Sequence, residues 1–329
     1  MKHASRRPPL PGRSLLAGMT LVELMVAMMV GLLIVLAATS ALLAARRGFT
    51  TVDSASQLRD NARFAISLIQ RLAVQAGYRD VSNAATKRTA TVASSANPLP
   101  YVFGFDNALA NRDSLDNGKA RPKGSFGDVL VLRYQPTETV PGSGEADAGM
   151  IDCAGQPPDK PASNRDDAQT SVFFVDKSND GEPTLKCYRS DTGSPSFDSA
   201  VPLIRGVENF QVLYGVDGVK ANTAIDPTDT TLTPDTVPDS YLSASQLTVA
   251  GDTAATRANW RRVRSVRIGL VLRSDAASTQ KYEARTIFPL GGASFASADD
   301  FGSQYEAPAD GRLRQVVTFT VHLRNDQGE

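Results

Sequence analysis

The residues whose types and spacing bear on chemistry are few in this chain. Two cysteines, Cys153 and Cys187, lie far beyond an apolar N-terminal run, and a lone acid, Glu23, stands inside that run. Asp176, Ser178 and Asp180 alternate just ahead of Gly181. If residues beyond about 46 are exported to an oxidising compartment, the cysteines favour a disulfide; otherwise they are two unrelated thiols. A bridge closing a loop of about 35 residues stabilises by about 4 kcal/mol in the chain-entropy model. The oxygens of Asp176, Ser178 and Asp180 beside a glycine turn are what a hard cation needs, so Asp176 to Pro183 is a candidate calcium loop. The position of the bidentate Glu is held by Cys187, however, and the strand-like flanks favour a plain hairpin turn.

Other chemistry finds little support. The histidines are His3 and His322, and His322 falls on the outward side of an alternating strand. That leaves no histidine for a Ser-His-Asp triad or a His-rich metal site. There is no glycine loop followed by Lys-Ser/Thr to cradle phosphate. The loop acids carry no spacing that favours a carboxylate-pair hydrolase over solvated side chains. The expectation is a protein that is not an enzyme and has no cofactor.

The elements that position these residues begin with the N-terminus. The 329 residues are 21% charged and sum to zero. Residues 1–18 carry Lys2, Arg6, Arg7 and Arg13 and no acid, so the remaining chain is net negative and gives no footprint for nucleic acid. By the positive-inside rule the basic leader stays cytoplasmic. From Leu24 to Ala45 the chain is apolar apart from Gly31, Thr39 and Ser40, and Arg46 and Arg47 close the run. At about 1.5 Å per residue this crosses a hydrocarbon core of roughly 30 Å. A removable signal peptide has an apolar core of only about 7–15 residues. A plain signal anchor fits the length but gives no reason for Glu23, since an acid costs roughly 2.5–3.5 kcal/mol at a helix centre and less near an end.

Beyond the anchor, Leu58, Ala62, Ala65, Ile66, Ile69, Leu72, Ala73 and Ala76 recur at helical spacing with polar residues between them, and Gly77 is a stop signal. Gly48, with Thr50 and Thr51, is a candidate break or bend. Strand patterns cover 128–134, 171–176, 184–189, 207–215, 263–273, 280–288 and 314–323. In the last, Val317, Phe319, Val321 and Leu323 alternate with Thr318, Thr320 and His322. Polar loops fill 106–126, 135–169, 218–258 and 290–312, and Trp260 is read as core. The fold class is α+β: a long N-terminal hydrophobic, then amphipathic, α-helix packed on an antiparallel β-sheet domain with long loops.

The junction Gly18-Met19-Thr20-Leu21-Val22-Glu23, with the basic leader before it and the apolar run after it, resembles a type IV prepilin N-terminus. The stretches LRDNARFAISLIQRLAVQAGYRD (58–80), IRGVENFQVLYGVD (204–217), VRSVRIGLVLRS (263–274) and GRLRQVVTFTVHLRN (311–325) resemble the PilW group of minor pilins. The resemblance implies cleavage by a prepilin peptidase after Gly18 and N-methylation of Met19. It implies a processing and assembly motif in Thr20, Leu21, Val22 and Glu23. Position 19 is Met where Phe is the commoner family residue. The Glu23 carboxylate would neutralise the Met19 amine of a neighbouring subunit, since paired charges cost less to bury than either alone; a pair within one subunit is the local alternative.

The implied organisation is a leader (1–18), a transmembrane and filament-core helix (19–46), an amphipathic helix (47–77) and a periplasmic β-rich pilin domain (78–329). The implied location is the inner membrane of a Gram-negative bacterium, single-pass, then the extracellular pilus. The implied partners are the peptidase, other minor pilins, the major pilin, the inner-membrane assembly platform, membrane lipid before assembly and a PilY-type tip adhesin. The implied function is a low-abundance subunit priming assembly at the tip, with twitching motility, adhesion or DNA uptake downstream. A minor pseudopilin of type II secretion and a signal-anchored periplasmic binding domain are the alternatives.

Overall fold

The stretch from Leu21 to Gln75 holds no proline and is rich in Ala, Leu, Met and Val, and it forms one helix, α1 (Leu21–Gln75). The computed structural model describes residues 18–80, 98–121, 127–164, 166–192, 197–229, 235–274 and 284–325. Residues 1–17 of the leader and 280–283 of one expected strand lie outside them. The chain divides into two units, Met1–Thr51 and Val52–Glu329, and α1 runs through the division.

In the first unit every residue from Gly18 to Thr50 is exposed. The expected break at Gly48 does not occur. The Thr50 and Thr51 hydroxyls donate to the Arg47 carbonyl at 3.0 and 2.9 Å, so the groups that compete with a helix are satisfied inside it.

In the second unit α1 buries Leu58, Ala62, Ala65, Ile69, Leu72 and Ala73, one stripe at spacings of three and four. The small alanines let the helix backbone lie close to the sheets. The helix stops at Gly77, whose φ of 78° is open to glycine at little cost, and the Gly77 N–H donates to the Arg133 carbonyl at 3.0 Å. Asn325 covers the helix end from the far terminus, donating from Nδ2 to the Ala76 and Val74 carbonyls at 3.1 and 3.2 Å.

Thirteen strands follow among the described residues: β1 (Val102–Phe105), β2 (Ala108–Leu109), β3 (Lys119–Ala120), β4 (Val129–Tyr134), β5 (Gln169–Lys177), β6 (Pro183–Ser190), β7 (Val201–Arg205), β8 (Val207–Val216), β9 (Ser240–Leu242), β10 (Val263–Arg273), β11 (Arg285–Ile287), β12 (Tyr305–Ala307) and β13 (Arg314–His322). Two short helices, α2 (Ala244–Leu247) and α3 (Thr253–Arg261), lie between β9 and β10. The two larger antiparallel sheets have the orders β1-β4-β5-β6-β7 and β13-β10-β8-β9, and β11 pairs with β12 and β2 with β3 in two-stranded ribbons. Residues of both sheets and of the α1 stripe form one continuous core. Trp260 is in it, edge-on to Tyr214 at 4.6 Å.

On β13 Val317 and Val321 are buried, Phe319 is half-buried and His322 is exposed, as the alternation predicts. The seven strand patterns match β4, β5, β6, β8, β10, β11 and β13, with the expected strand over 280–288 reduced to Arg285–Ile287. Segments read as loops hold more structure than expected: β2 and β3 in 106–126, β9, α2 and α3 in 218–258, and β12 in 290–312.

The second sheet is tied to the β5–β6 turn by charge. The Glu208 carboxylate accepts from Arg314 Nε at 2.6 Å and from Arg273 Nη1 at 3.0 Å, with Arg314 and Glu208 both nearly buried. Arg273 Nη2 reaches Glu182 at 2.7 Å, and Arg314 Nη2 reaches Asp310 at 2.7 Å. Each buried guanidinium therefore meets more than one carboxylate, the condition under which buried ion pairs hold.

Candidate functional site

Two places carry residues with chemical options: the start of α1, and the acids of the second unit. At the start of α1, Gly18 and Met19 precede the helix and are exposed. Thr20 caps it. The Glu23 N–H donates to the Thr20 hydroxyl oxygen at 3.2 Å, and the Thr20 N–H and hydroxyl donate to Glu23 Oε2 at 2.9 and 3.0 Å. This reciprocal pattern is a capping box. Leu21 and Val22 fill the first turn with their side chains exposed. The Glu23 carboxylate thus meets the Thr20 N–H and hydroxyl of its own chain, beside the bond where the sequence places cleavage. The helix behind it presents Leu, Val, Ile and Met side chains outward from Leu21 to Leu43, long and apolar enough for one membrane span. Apolar area of that extent requires cover by lipid or by other helices.

In the second unit Cys153 and Cys187 form a disulfide, and both are buried. Cys187 is central in β6, opposite Phe173 of β5. Cys153 sits in the long β4–β5 connection, with its N–H donating to Ser171 Oγ at 3.1 Å. The bridge pins that connection to the first sheet.

Asp176 lies in β5, and Ser178 and Asp180 lie between β5 and β6. Asp176 pairs with Lys186 at 3.5 Å and Asp180 with Arg205 at 2.6 Å. The Ser178 N–H donates to the Glu182 carbonyl at 2.8 Å, and the Gly181 N–H to the Ser178 carbonyl at 2.9 Å. The segment is the β5–β6 hairpin turn that its flanks favoured, and the Asp176 and Asp180 carboxylates are paired with a lysine and an arginine.

Three other acids do converge. Carboxylate oxygens of Asp106, Asp128 and Asp300 lie within 4.8 Å of one another. Asp106 follows β1, and its two oxygens accept from the Ala244 and Ser245 N–H groups at 2.8 and 2.7 Å. Asp128 precedes β4 and accepts from the Asn107 and Val212 N–H groups at 2.9 and 2.8 Å. Asp300 stands in the β11–β12 connection, and its Oδ1 is buried without a hydrogen-bond partner. Burial, with the charges of Asp106 and Asp300, pushes the Asp128 carboxyl upward. Burial, with the charge of Asp106, pushes Asp300 up to about 7. Sequence reading missed this cluster because its members share no local spacing.

Comparison with known proteins follows from this geometry. Residues 172–325 match the family described as Type IV Pilus-assembly protein W. Among solved structures, a type IV-like pilin from Thermus thermophilus is similar at 14% identity and a TM-score of 0.38, covering 81% of this chain and 95% of that one. Among curated proteins there is no match. The family matched over residues 172–325 is the one that the sequence resembles.

Proposed function

We propose that the protein is a minor pilin of the type IV pilus, cut after Gly18, methylated at Met19 and built into the complex that primes filament assembly. The observation that carries this reading is the start of α1: one acid, at the fifth position after the junction, on a helix whose apolar side chains from Leu21 to Phe49 are all exposed. The same helix serves two surroundings in turn. Before assembly, lipid covers it, with the basic leader cytoplasmic and the second unit in the periplasm. After cleavage, neighbouring α1 helices replace the lipid.

Cleavage creates an amine on Met19. In a filament core that charge is costly to bury alone, and a carboxylate on the adjacent subunit offsets it. Glu23 would exchange its bonds to Thr20 for that amine, so the capping box is the resting partner that keeps the acid satisfied until a neighbour arrives. The exposed loops of the second unit are then the surface for other minor pilins and a tip adhesin.

The test is Glu23→Leu in the native host. Processing should persist while surface pili fall by about tenfold or more, since each 1.4 kcal/mol of unfavourable burial is tenfold in an equilibrium. Normal piliation with the Leu variant would remove the role given to Glu23. Loss of secretion in place of pili would move the protein to the type II pseudopilins.

A further inference from the structure

We propose that Asp106, Asp128 and Asp300 together bind one divalent cation, with calcium preferred. This goes beyond the pilin reading and does not rest on it. The cluster is built from three separate segments: the end of β1, the approach to β4, and the loop before β12. Among the described residues none of the three acids forms an ion pair with Lys or Arg. Arg121 is the cation within electrostatic reach of Asp128, but its Nε donates to the Gly127 carbonyl at 2.6 Å and its Nη2 is left without a partner.

The second observation is a set of buried oxygens that lack partners. Asp300 is 8% exposed, and its Oδ1 has no hydrogen bond. Tyr214 is fully buried, its hydroxyl has no partner, and the charges of Asp106 and Asp128 act on it. Gln211 Oε1 is likewise buried without a donor, one residue from the Val212 N–H that holds Asp128. Its amide nitrogen donates to Asn209 Oδ1, and Asn209 in turn donates to the Gly302 carbonyl beside Asp300. The neighbourhood gathers buried oxygens that no donor meets, and a hard cation is a ligand that such a set satisfies.

Donor chemistry selects among cations. Calcium accepts a cage of protein oxygens, whereas magnesium keeps several waters and binds through one or two carboxylates. Three carboxylates with oxygens within 4.8 Å of one another supply the set that calcium takes. Asp106 and Asp128 each keep lone pairs beyond their backbone bonds, and Asp300 has a whole oxygen to give. The bound ion would fasten the β11–β12 loop to the first sheet and to the start of α2.

The test uses the full-length protein in detergent, stripped with EDTA and titrated with calcium or magnesium chloride while thermal unfolding is followed. Calcium should raise the Tm saturably, with half the effect on the order of 0.1–1 mM, the range of extracellular modules, and magnesium should do so at least about tenfold less well. Asp300→Asn should abolish the shift, and Asp180→Asn, in the β5–β6 turn, should keep it. No calcium shift in the wild type, or a shift that survives Asp300→Asn, overturns the proposal. Should Asp300→Asn fail to fold, terbium on the wild type decides. Emission sensitised through Tyr214 and displaced by calcium supports the site, and absence of that emission overturns it.

Discussion

Asp310 shows how single charges hold the second sheet. Hydrogen bonds and charge from Arg314 pull its carboxyl from 3.8 down to about 2. Its folded value lies below its unfolded value, so the stability it contributes is present above about pH 4 and is lost as the pH falls through about 2. Glu182, lowered chiefly by its hydrogen bond with Arg273, acts in the same direction. Chemical unfolding at pH 7, 4, 3 and 2 should show the wild type losing stability mainly below pH 4. Asp310→Asn should start less stable at pH 7 and lose less on acidification; an unchanged slope would assign the acid sensitivity elsewhere. At this scale the sequence was readable only where an acid stood out against its surroundings. Glu23 was visible because its neighbours are apolar. Asp106, Asp128 and Asp300 were not, because acids in polar loops look alike until the fold brings them together.

Elements were legible in proportion to their length and period. The α1 stripe from Leu58 to Ala73 and the alternation along β13 follow directly from side-chain spacing. β7 was hidden by Pro202, and β2, β3, β9 and β12 are too short to show a period. α3 is a different kind of omission. Asp252 accepts from the Ala255 N–H at 2.8 Å and marks the helix start, but Thr253–Arg261 is too polar for an apolar stripe to announce it. α2 carries its own signal in the Ser243–Gln246 capping box. The cysteine pair belongs to this scale as well, since it joins a connection without regular structure to β6. Replacing both cysteines by serine should lower stability by about 4 kcal/mol in the chain-entropy model. Equilibrium unfolding in urea checks the value, and a loss under about 1 kcal/mol would mean that the β4–β5 connection is held by its hydrogen bonds instead.

At the scale of the whole molecule, Val52–Glu329 buries a core of its own, whereas every residue from Gly18 to Thr50 is exposed. Exposed apolar side chains of the second unit, such as Val140 and Phe301, are scattered along the sequence, whereas those of α1 from Leu21 to Leu43 form one continuous run. That contrast is what a subunit moving from membrane to filament requires, and it was legible early because an exposed apolar run with one acid has few explanations. The most direct measurement is the N-terminal mass of the protein made with and without a prepilin peptidase. The account predicts a chain starting at N-methylated Met19 only when the peptidase is present. A chain still starting at Met1 in both cases, or one cut near Ala45, would contradict it and leave the folded unit as an anchored or secreted domain outside any filament.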